Sequence, residues 1–274
     1  MTFSIVARSA DGLAHGVAVA SRFLAVGAAV PAAEAGVGAL ATQSYANLAY
    51  RPQGLMLLRT GTSAADTVAG LTAADPGRAT RQLGVVGTAG DGATFTGAEC
   101  HEWAGGTAGD GYAIQGNILT ASDVVAAMEA AWLSGAGTAP LAERLLAALR
   151  AGDEAGGDRR GRQSAALLVV QHAMGYGGTS DVVVDLRVDD HTAPVDELAR
   201  LLDLHALYFD KPDPARLLAL TGDLADEVRA LLGGPSGDLD AALASWAGVA
   251  NLEERMVPGS IDPLVLAELR RAGG

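Results

Sequence analysis

Thr2-Phe3-Ser4-Ile5-Val6-Ala7-Arg8 and, after a short break, Gly16-Val17-Ala18-Val19-Ala20-Ser21 form the stretch whose reading decides the fold. Both runs are small or β-branched and apolar, and Ser9-Ala10-Asp11-Gly12 supplies turn chemistry between them, so they read as two neighbouring strands, Phe3–Arg8 and Gly16–Ser21. A third strand is expected at Gly36–Ser44. The runs show little alternation of apolar and polar residues, the pattern of strands buried on both faces. Working outward, the sequence predicts helices near Pro52–Thr60 and Ala64–Ala73, the second capped by Ser63. Strand-like runs follow at Gln82–Thr88, Thr94–Thr96 and Gly111–Gly116, then amphipathic helices at Ala121–Leu133 and Pro140–Arg150, then strands at Ala165–Gln171 and Asp181–Asp189. Strands grouped with strands and helices with helices point to layers rather than repeated β-α-β units. The class is α+β; a four-layer α-β-β-α sandwich fits the order, and so does a plain α+β domain.

From Pro194 the chain reads as helical, and Lys211-Pro212-Asp213-Pro214 breaks it. The boundary is placed near 210, giving a layered domain over 1–210 and a small all-helical domain over 211–274. Helical stretches are expected there at Arg216–Leu220, Leu224–Leu232, Leu239–Trp246 and Leu264–Arg271. Leu198, Leu202, Leu224, Leu231 and Leu232 line either a local core or a surface for self-association.

Composition narrows the function. Of 274 residues, 49% are hydrophobic, ample for a large core, but only 4% are aromatic, so packing rests on Ala, Val and Leu. A net charge of −13 argues against nucleic-acid backbones and anionic membranes as partners. Cys100 is the only cysteine, so no intramolecular disulfide forms. No run reaches the roughly 18 apolar residues of a membrane helix. Arg8 and Asp11 interrupt the start, where a signal peptide would need an apolar core, so a cytoplasmic protein is expected. Cys100-His101-Glu102 falls short of a zinc set, and the five histidines lack ligand spacing, so neither metal nor cofactor is expected.

Four places carry chemistry. Thr2 follows Met1 directly, and trimming of Met1 would leave a hydroxyl nucleophile and an α-amine base on one residue; the plain alternative is a small residue after a start codon. Ser21-Arg22 ends the second strand, as a site pair or as an ordinary strand end. Gln115-Gly116-Asn117 ends another strand, where the amides are either functional or turn-forming. Asp158-Arg159-Arg160-Gly161-Arg162-Gln163-Ser164 leads into a strand; its arginines suit a carboxylate or phosphate, or a solvated loop braced by Asp158.

These residues resemble a known family. Thr2 through Arg8, Gly16-Val17-Ala18-Val19-Ala20-Ser21-Arg22-Phe23, Ala25-Val26-Gly27, Ala41-Thr42-Gln43-Ser44, Gln115-Gly116-Asn117-Ile118-Leu119 and Gly157 through Ala166 are similar to an uncharacterised bacterial Ntn-hydrolase-like family, domain of unknown function 1028. The resemblance runs through most of 1–210 and implies the α-β-β-α sandwich of N-terminal-nucleophile hydrolases. Asn251 through Arg255 and Gly259 through Leu266 resemble a small helical domain labelled peptidoglycan-binding. A more distant likeness is to proteasome β-type subunits, which also run a Gly-Val-x-Val strand into a Ser-Arg pair. Those carry an aspartate before that pair and a lysine further on; here Ala20 precedes Ser21 and Lys211 is the only lysine.

The resemblance implies an amidohydrolase acting on a small amide or short peptide, cell-wall fragments included, with Thr2 as nucleophile after loss of Met1. Asn117 would donate to the oxyanion and Arg22 would tune the amine or hold a substrate carboxylate. Asp158, Arg159, Arg160 and Ser164 would form the substrate-binding side. A homo-oligomer is expected. The alternative is a non-catalytic member of the fold that binds a small ligand or serves as an assembly unit.

Overall fold

The computed structural model describes residues 2–135, 139–234 and 236–273. The chain is a mixed α/β protein with antiparallel sheets, and it divides into two compact units, one up to Arg200 and one from Leu201 onward. In chain order the first unit contains β1 (Thr2–Arg8), β2 (His15–Ser21), α1 (Val26–Ala29), β3 (Pro31–Glu34), β4 (Gly38–Ser44), α2 (Tyr50–Arg59) and α3 (Ala64–Ala73). Next come β5 (Arg81–Gly87), β6 (Ala93–Thr96), β7 (Gly105–Gly109), β8 (Tyr112–Asn117), α4 (Asp123–Ser134), α5 (Leu141–Glu154), β9 (Ser164–Val170) and β10 (Val182–Val188). The division falls inside α6 (Pro194–Phe209), upstream of the Lys211-Pro212-Asp213-Pro214 break.

One sheet has six strands in the order β10-β9-β2-β1-β8-β7, and the other has four in the order β3-β4-β5-β6. β1 and β2 lie in the middle of the larger sheet, which accounts for their unbroken burial. Their odd and even residues serve different layers. Phe3 reaches toward α5, where a Cβ on Gly152 would come within 3.3 Å of its ring, so the glycine sets how closely that helix approaches. On the opposite face, Val6, Val17, Val19 and Ala166 meet Ala39, Ala41 and Val86 of the four-stranded sheet in a dry layer of small side chains. Each fully buried valine is worth about 1.5–3 kcal/mol, and with few aromatics the layer depends on close approach of the two backbones. Helices α2 and α3 cover the outer face of the smaller sheet, closing on Leu40, Leu83 and Val85; α4 and α5 cover the outer face of the larger one.

At the end of α3, Asp75 joins the helical layer to the sheet. Its carboxylate accepts from Arg81 Nε (2.9 Å), Gly77 N (2.7 Å), Tyr50 Oη (2.9 Å) and Asn47 Nδ2 (3.1 Å). The Arg81 guanidinium foremost, aided by the other donors, holds this carboxyl well below the usual carboxylate range against the opposing effect of burial.

The second unit contains β11 (Leu218–Ala219), α7 (Gly222–Leu231), α8 (Leu239–Val249), β12 (Ser260–Ile261) and α9 (Pro263–Gly273). It is therefore not all-helical. The helix expected at Arg216–Leu220 is a single 3-10 turn, Pro214–Arg216, followed by β11, which pairs with β12. Pro212 and Pro214 remove two backbone donors, and Asp213 takes Ala215 N at 2.9 Å, so no longer helix starts there. Leu224, Leu231 and Leu232 pack against a core of Val228, Leu243, Ala247, Leu252, Ile261, Val265, Leu266 and Leu269. Arg255 is buried inside this unit: it donates to Asp262 (2.8 Å) and to the carbonyls of Leu207 and Ala206 (2.6 Å each), while Asp262 accepts from Leu264 N at the start of α9. Among the described residues no helix is long and apolar enough to cross a membrane.

Two outcomes follow from these ties. Arg255→Met strands the buried Asp262 carboxylate and should destabilise the second unit by about 3–5 kcal/mol in urea titrations. The Asp75 pKa lies below its unfolded value, so its contribution is present above about pH 4 and lost as pH falls further. Asp75→Asn should therefore flatten the acid limb of the stability-versus-pH curve, read by thermal melts.

Candidate functional site

The strand registers place four of the predicted residues in one row. Thr2 opposes Asn117 across β1 and β8, Ser21 opposes Ser164 across β2 and β9, and Thr2 lies one step beyond the Phe3–Ala20 pair, beside Ser21. The row Ser164–Ser21–Thr2–Asn117 thus crosses the middle of the larger sheet at one end of the inter-sheet layer. Thr2 is 5% exposed, and its Oγ1 is 3.1 Å from Ser21 Oγ. Met1, whose removal the nucleophile reading requires, lies outside the described residues.

Behind this row the inter-sheet layer changes from apolar to polar. Gln82 of β5 is its centre. Gln82 Oε1 accepts from Gln43 Nε2 (2.8 Å) and Asn117 Nδ2 (2.9 Å), and Gln82 Nε2 donates to the Gly116 carbonyl (2.7 Å) and Thr96 Oγ1 (2.9 Å). Gln43 Nε2 also reaches the Thr2 carbonyl at 3.2 Å, and Ser4 Oγ donates to Gln43 Oε1 at 2.7 Å. Gln115 Nε2 donates to Ser4 Oγ at 2.6 Å. Gly84 makes room for that amide, since a Cβ there would lie 2.0 Å from Gln115 Oε1. Apart from half-buried Thr96 every member is buried, so these hydrogen bonds replace water that the layer excludes. The network fixes the carbonyl of Thr2 from both sheets at once.

The loops at this end are equally constrained. Asp158 accepts from Arg22 N (2.7 Å) and Arg160 N (2.8 Å), and its Oδ2 is 3.4 Å from Arg160 Nη2. Ser164 Oγ donates to the Phe23 carbonyl (2.5 Å) and accepts from Val26 N (3.1 Å). Asp158 and Ser164 therefore hold the 22–26 turn. Ser164 is fully buried with its hydroxyl committed, so it is a brace rather than a substrate contact. Arg22, Arg159 and Arg160 are exposed, and Arg22 Nη1 donates to the Arg162 carbonyl at 2.7 Å. Asn117 also differs from a free donor: its Nδ2 is shared between Gln82 Oε1 and, at 3.4 Å, the Thr2 carbonyl.

Three non-glycine residues here are left-handed: Ala25, directly before α1 (φ 53°), Ser44, the last residue of β4 (φ 67°), and Ile118, just past β8 (φ 48°). For β-branched Ile118 this is a strained conformation, of a kind worth about 1–3 kcal/mol that persists where surrounding structure enforces it and that collects at functional sites. The enforcing bonds run from Ile118 N to the His101 carbonyl and from Leu119 N to the Trp103 carbonyl, both 2.9 Å. Cys100 is buried with Sγ toward the Arg81 carbonyl, and among the described residues no three His, Cys, Asp or Glu side chains group as for a metal.

The same residues carry the relationship to known proteins: a family profile covers residues 2–198, the span from Thr2 through the last strand of this unit and into α6. The chain belongs to the family of unknown function DUF1028. A similar solved structure is that of protein SPO2555 from Silicibacter pomeroyi, described as a DUF1028 protein; it shares 32% identity and a TM-score of 0.66, over 83% of this chain and 93% of that one. No curated protein matches the sequence.

In sequence Gln43 stands only within the Ala41-Thr42-Gln43-Ser44 motif and Gln82 only at the start of a strand; the signal for a polar seam in this DUF1028 chain is the spacing of two, Thr2-x-Ser4 beside Gln115-x-Asn117, inside otherwise apolar strands. Gln82→Leu would leave Asn117, Gln43 and the Gly116 carbonyl short of partners. It should destabilise the first unit by roughly 3 kcal/mol or more, read by denaturant unfolding.

Proposed function

We propose that this DUF1028 protein is an N-terminal-nucleophile amidohydrolase of small amides or short peptides, with Thr2 as nucleophile once Met1 is removed. The observation that carries the reading is the seat of Thr2: a strand-opening residue clamped in the middle of a sheet, with its Oγ1 3.1 Å from Ser21 Oγ. Helices stacked outside two facing sheets support it, since this is the four-layer arrangement expected of N-terminal-nucleophile hydrolases.

In the proposed cycle Thr2 Oγ attacks the amide carbonyl. Its proton passes, by way of Ser21 or a water, to the Thr2 α-amine, which returns it to the leaving amine as the C–N bond breaks. Water then hydrolyses the acyl ester by the same path. Asn117, beside the Thr2 carbonyl, donates to the oxyanion by exchanging its longer bond; one such donor is worth about 3 kcal/mol of barrier. Arg22, Arg159 and Arg160 give an acidic protein a cationic rim, suited to a carboxylate on the substrate, as short wall peptides carry.

A second reading, a ligand-binding member of the same fold without turnover, draws on a specific feature: the hydroxyl next to Thr2 is a neutral serine, and Lys211, the only lysine, belongs to the second unit. Intact mass of protein purified from cells should show Met1 absent; Met1 retained rules the hydrolase out. An electrophilic β-lactone should acylate Thr2, located by peptide mapping. On an amide that the wild type turns over, Thr2→Ala should lower kcat/KM by about ten-thousandfold. Binding without turnover on an amide panel, unaffected by Thr2→Ala, would favour the second reading.

A further inference from the structure

Arg144 of α5 stands apart from the site at Thr2. It is 8% exposed, its Nε has no hydrogen-bond partner, and among the described residues it has no carboxylate partner. Its guanidinium lies 3.7 Å from the centroid of the Trp132 ring, and Nη2 donates to the Trp132 carbonyl at 3.3 Å. An indole face and one carbonyl are a thin set of partners for a buried cation, because burial without a counter-charge penalises the charged form. The same burial moves its pKa downward.

Two cavities meet at this side chain. One, about 250 Å³, is bounded by Arg8, Asp110, Tyr112, Trp132, Leu133 and Arg144; the other, about 400 Å³, shares Ser9, Ala10 and Arg144 with it. Both lie at the Arg8 end of β1, about 20 Å from Thr2 at the strand's rise per residue. The other charges facing the first cavity are already matched: Arg8 bonds Asp110 Oδ1 and the Gly90 carbonyl, and the Tyr112 hydroxyl donates to Glu129 at 2.7 Å. In the second, Asp11 is occupied by Ser9 Oγ and Leu13 N. Arg144 is thus the unmatched charge, set among Ala10, Leu133, Tyr112 and Trp132.

We infer that the cavities at Arg144 form a binding site for a small carboxylate with an apolar body, its carboxylate accepting from Arg144 and its body lying among Ala10, Leu133 and Tyr112. A carboxylate is the class selected: a planar anion matches the guanidinium fork, and the other cation at the first cavity, Arg8, is already paired with Asp110, which leaves one guanidinium rather than the cluster a phosphate would call for. The site is independent of the reading at Thr2.

The test uses benzoate and its neutral isostere benzamide on the full chain at constant ionic strength. Benzoate should bind saturably by calorimetry and shift the Arg144 Nε–H resonance in arginine-labelled protein, and benzamide should do neither. Arg144→Gln should weaken benzoate at least tenfold. Because that variant removes a buried side chain, Leu133→Trp, at a half-exposed wall position, serves as the second: it should weaken benzoate without lowering Tm. Equal binding of benzamide, binding that survives Leu133→Trp undiminished, or an unmoved Arg144 resonance at saturating benzoate would each overturn the assignment.

Discussion

The constraint on which the first unit depends is the amide of Gln82, which ties two sheets together where neither offers apolar surface. Over most of their facing area the sheets meet through valine and alanine, side chains that tolerate small slides of one sheet over the other. At the Thr2 end the same faces present Ser4, Gln43, Gln82, Gln115 and Asn117, and these fit only in one alignment. A buried hydrogen-bond network contributes modest net stability but penalises every arrangement that leaves a member unpaired. The apolar part of the layer supplies most of the attraction; the polar part selects the alignment and sets the carbonyl of Thr2 in place.

This division explains the placement of the charged loops. Asp158 and Ser164 do not reach toward a substrate; they bond backbone amides and carbonyls of residues 22–26 and 160. The arginines they position remain outward. In an acidic chain, a rim of exposed arginines at one end of a sheet sets a local field opposite in sign to the net charge of the molecule.

Much of the layering was legible in the sequence because it rests on local pattern. Strands β1, β2, β8 and β9 follow from apolar runs bounded by turn residues, and α3, α4 and α5 from helical periodicity and, for α3, a serine cap. What escaped has physical causes. Strand β7 is Gly-Gly-Thr-Ala-Gly and β3 is Pro-Ala-Ala-Glu, compositions with little strand preference that are held by pairing to β8 and β4. The row Ser164–Ser21–Thr2–Asn117 could be proposed residue by residue, but adjacency across four strands is a property of register, which no local window contains. The joint role of Gln43 and Gln82 is hidden for the same reason: they meet each other across β4 and β5 and reach Thr2, Ser4, Gly116 and Asn117 in the other sheet, contacts that only the folded register creates. The two-residue β11–β12 ladder is too short to leave any periodic trace.

The central position of β1 also dictates when the surroundings of Thr2 are assembled. Its hairpin with β2 closes across a short turn, but its other edge waits for β8, more than a hundred residues further along. Such distant pairing is slow compared with local structure. Until it occurs, Thr2 has neither Asn117 beside it nor the amide seam behind it. In a half-made chain this end of β1 therefore lacks one whole flank, and the geometry around Thr2 is set only when the sheet is complete.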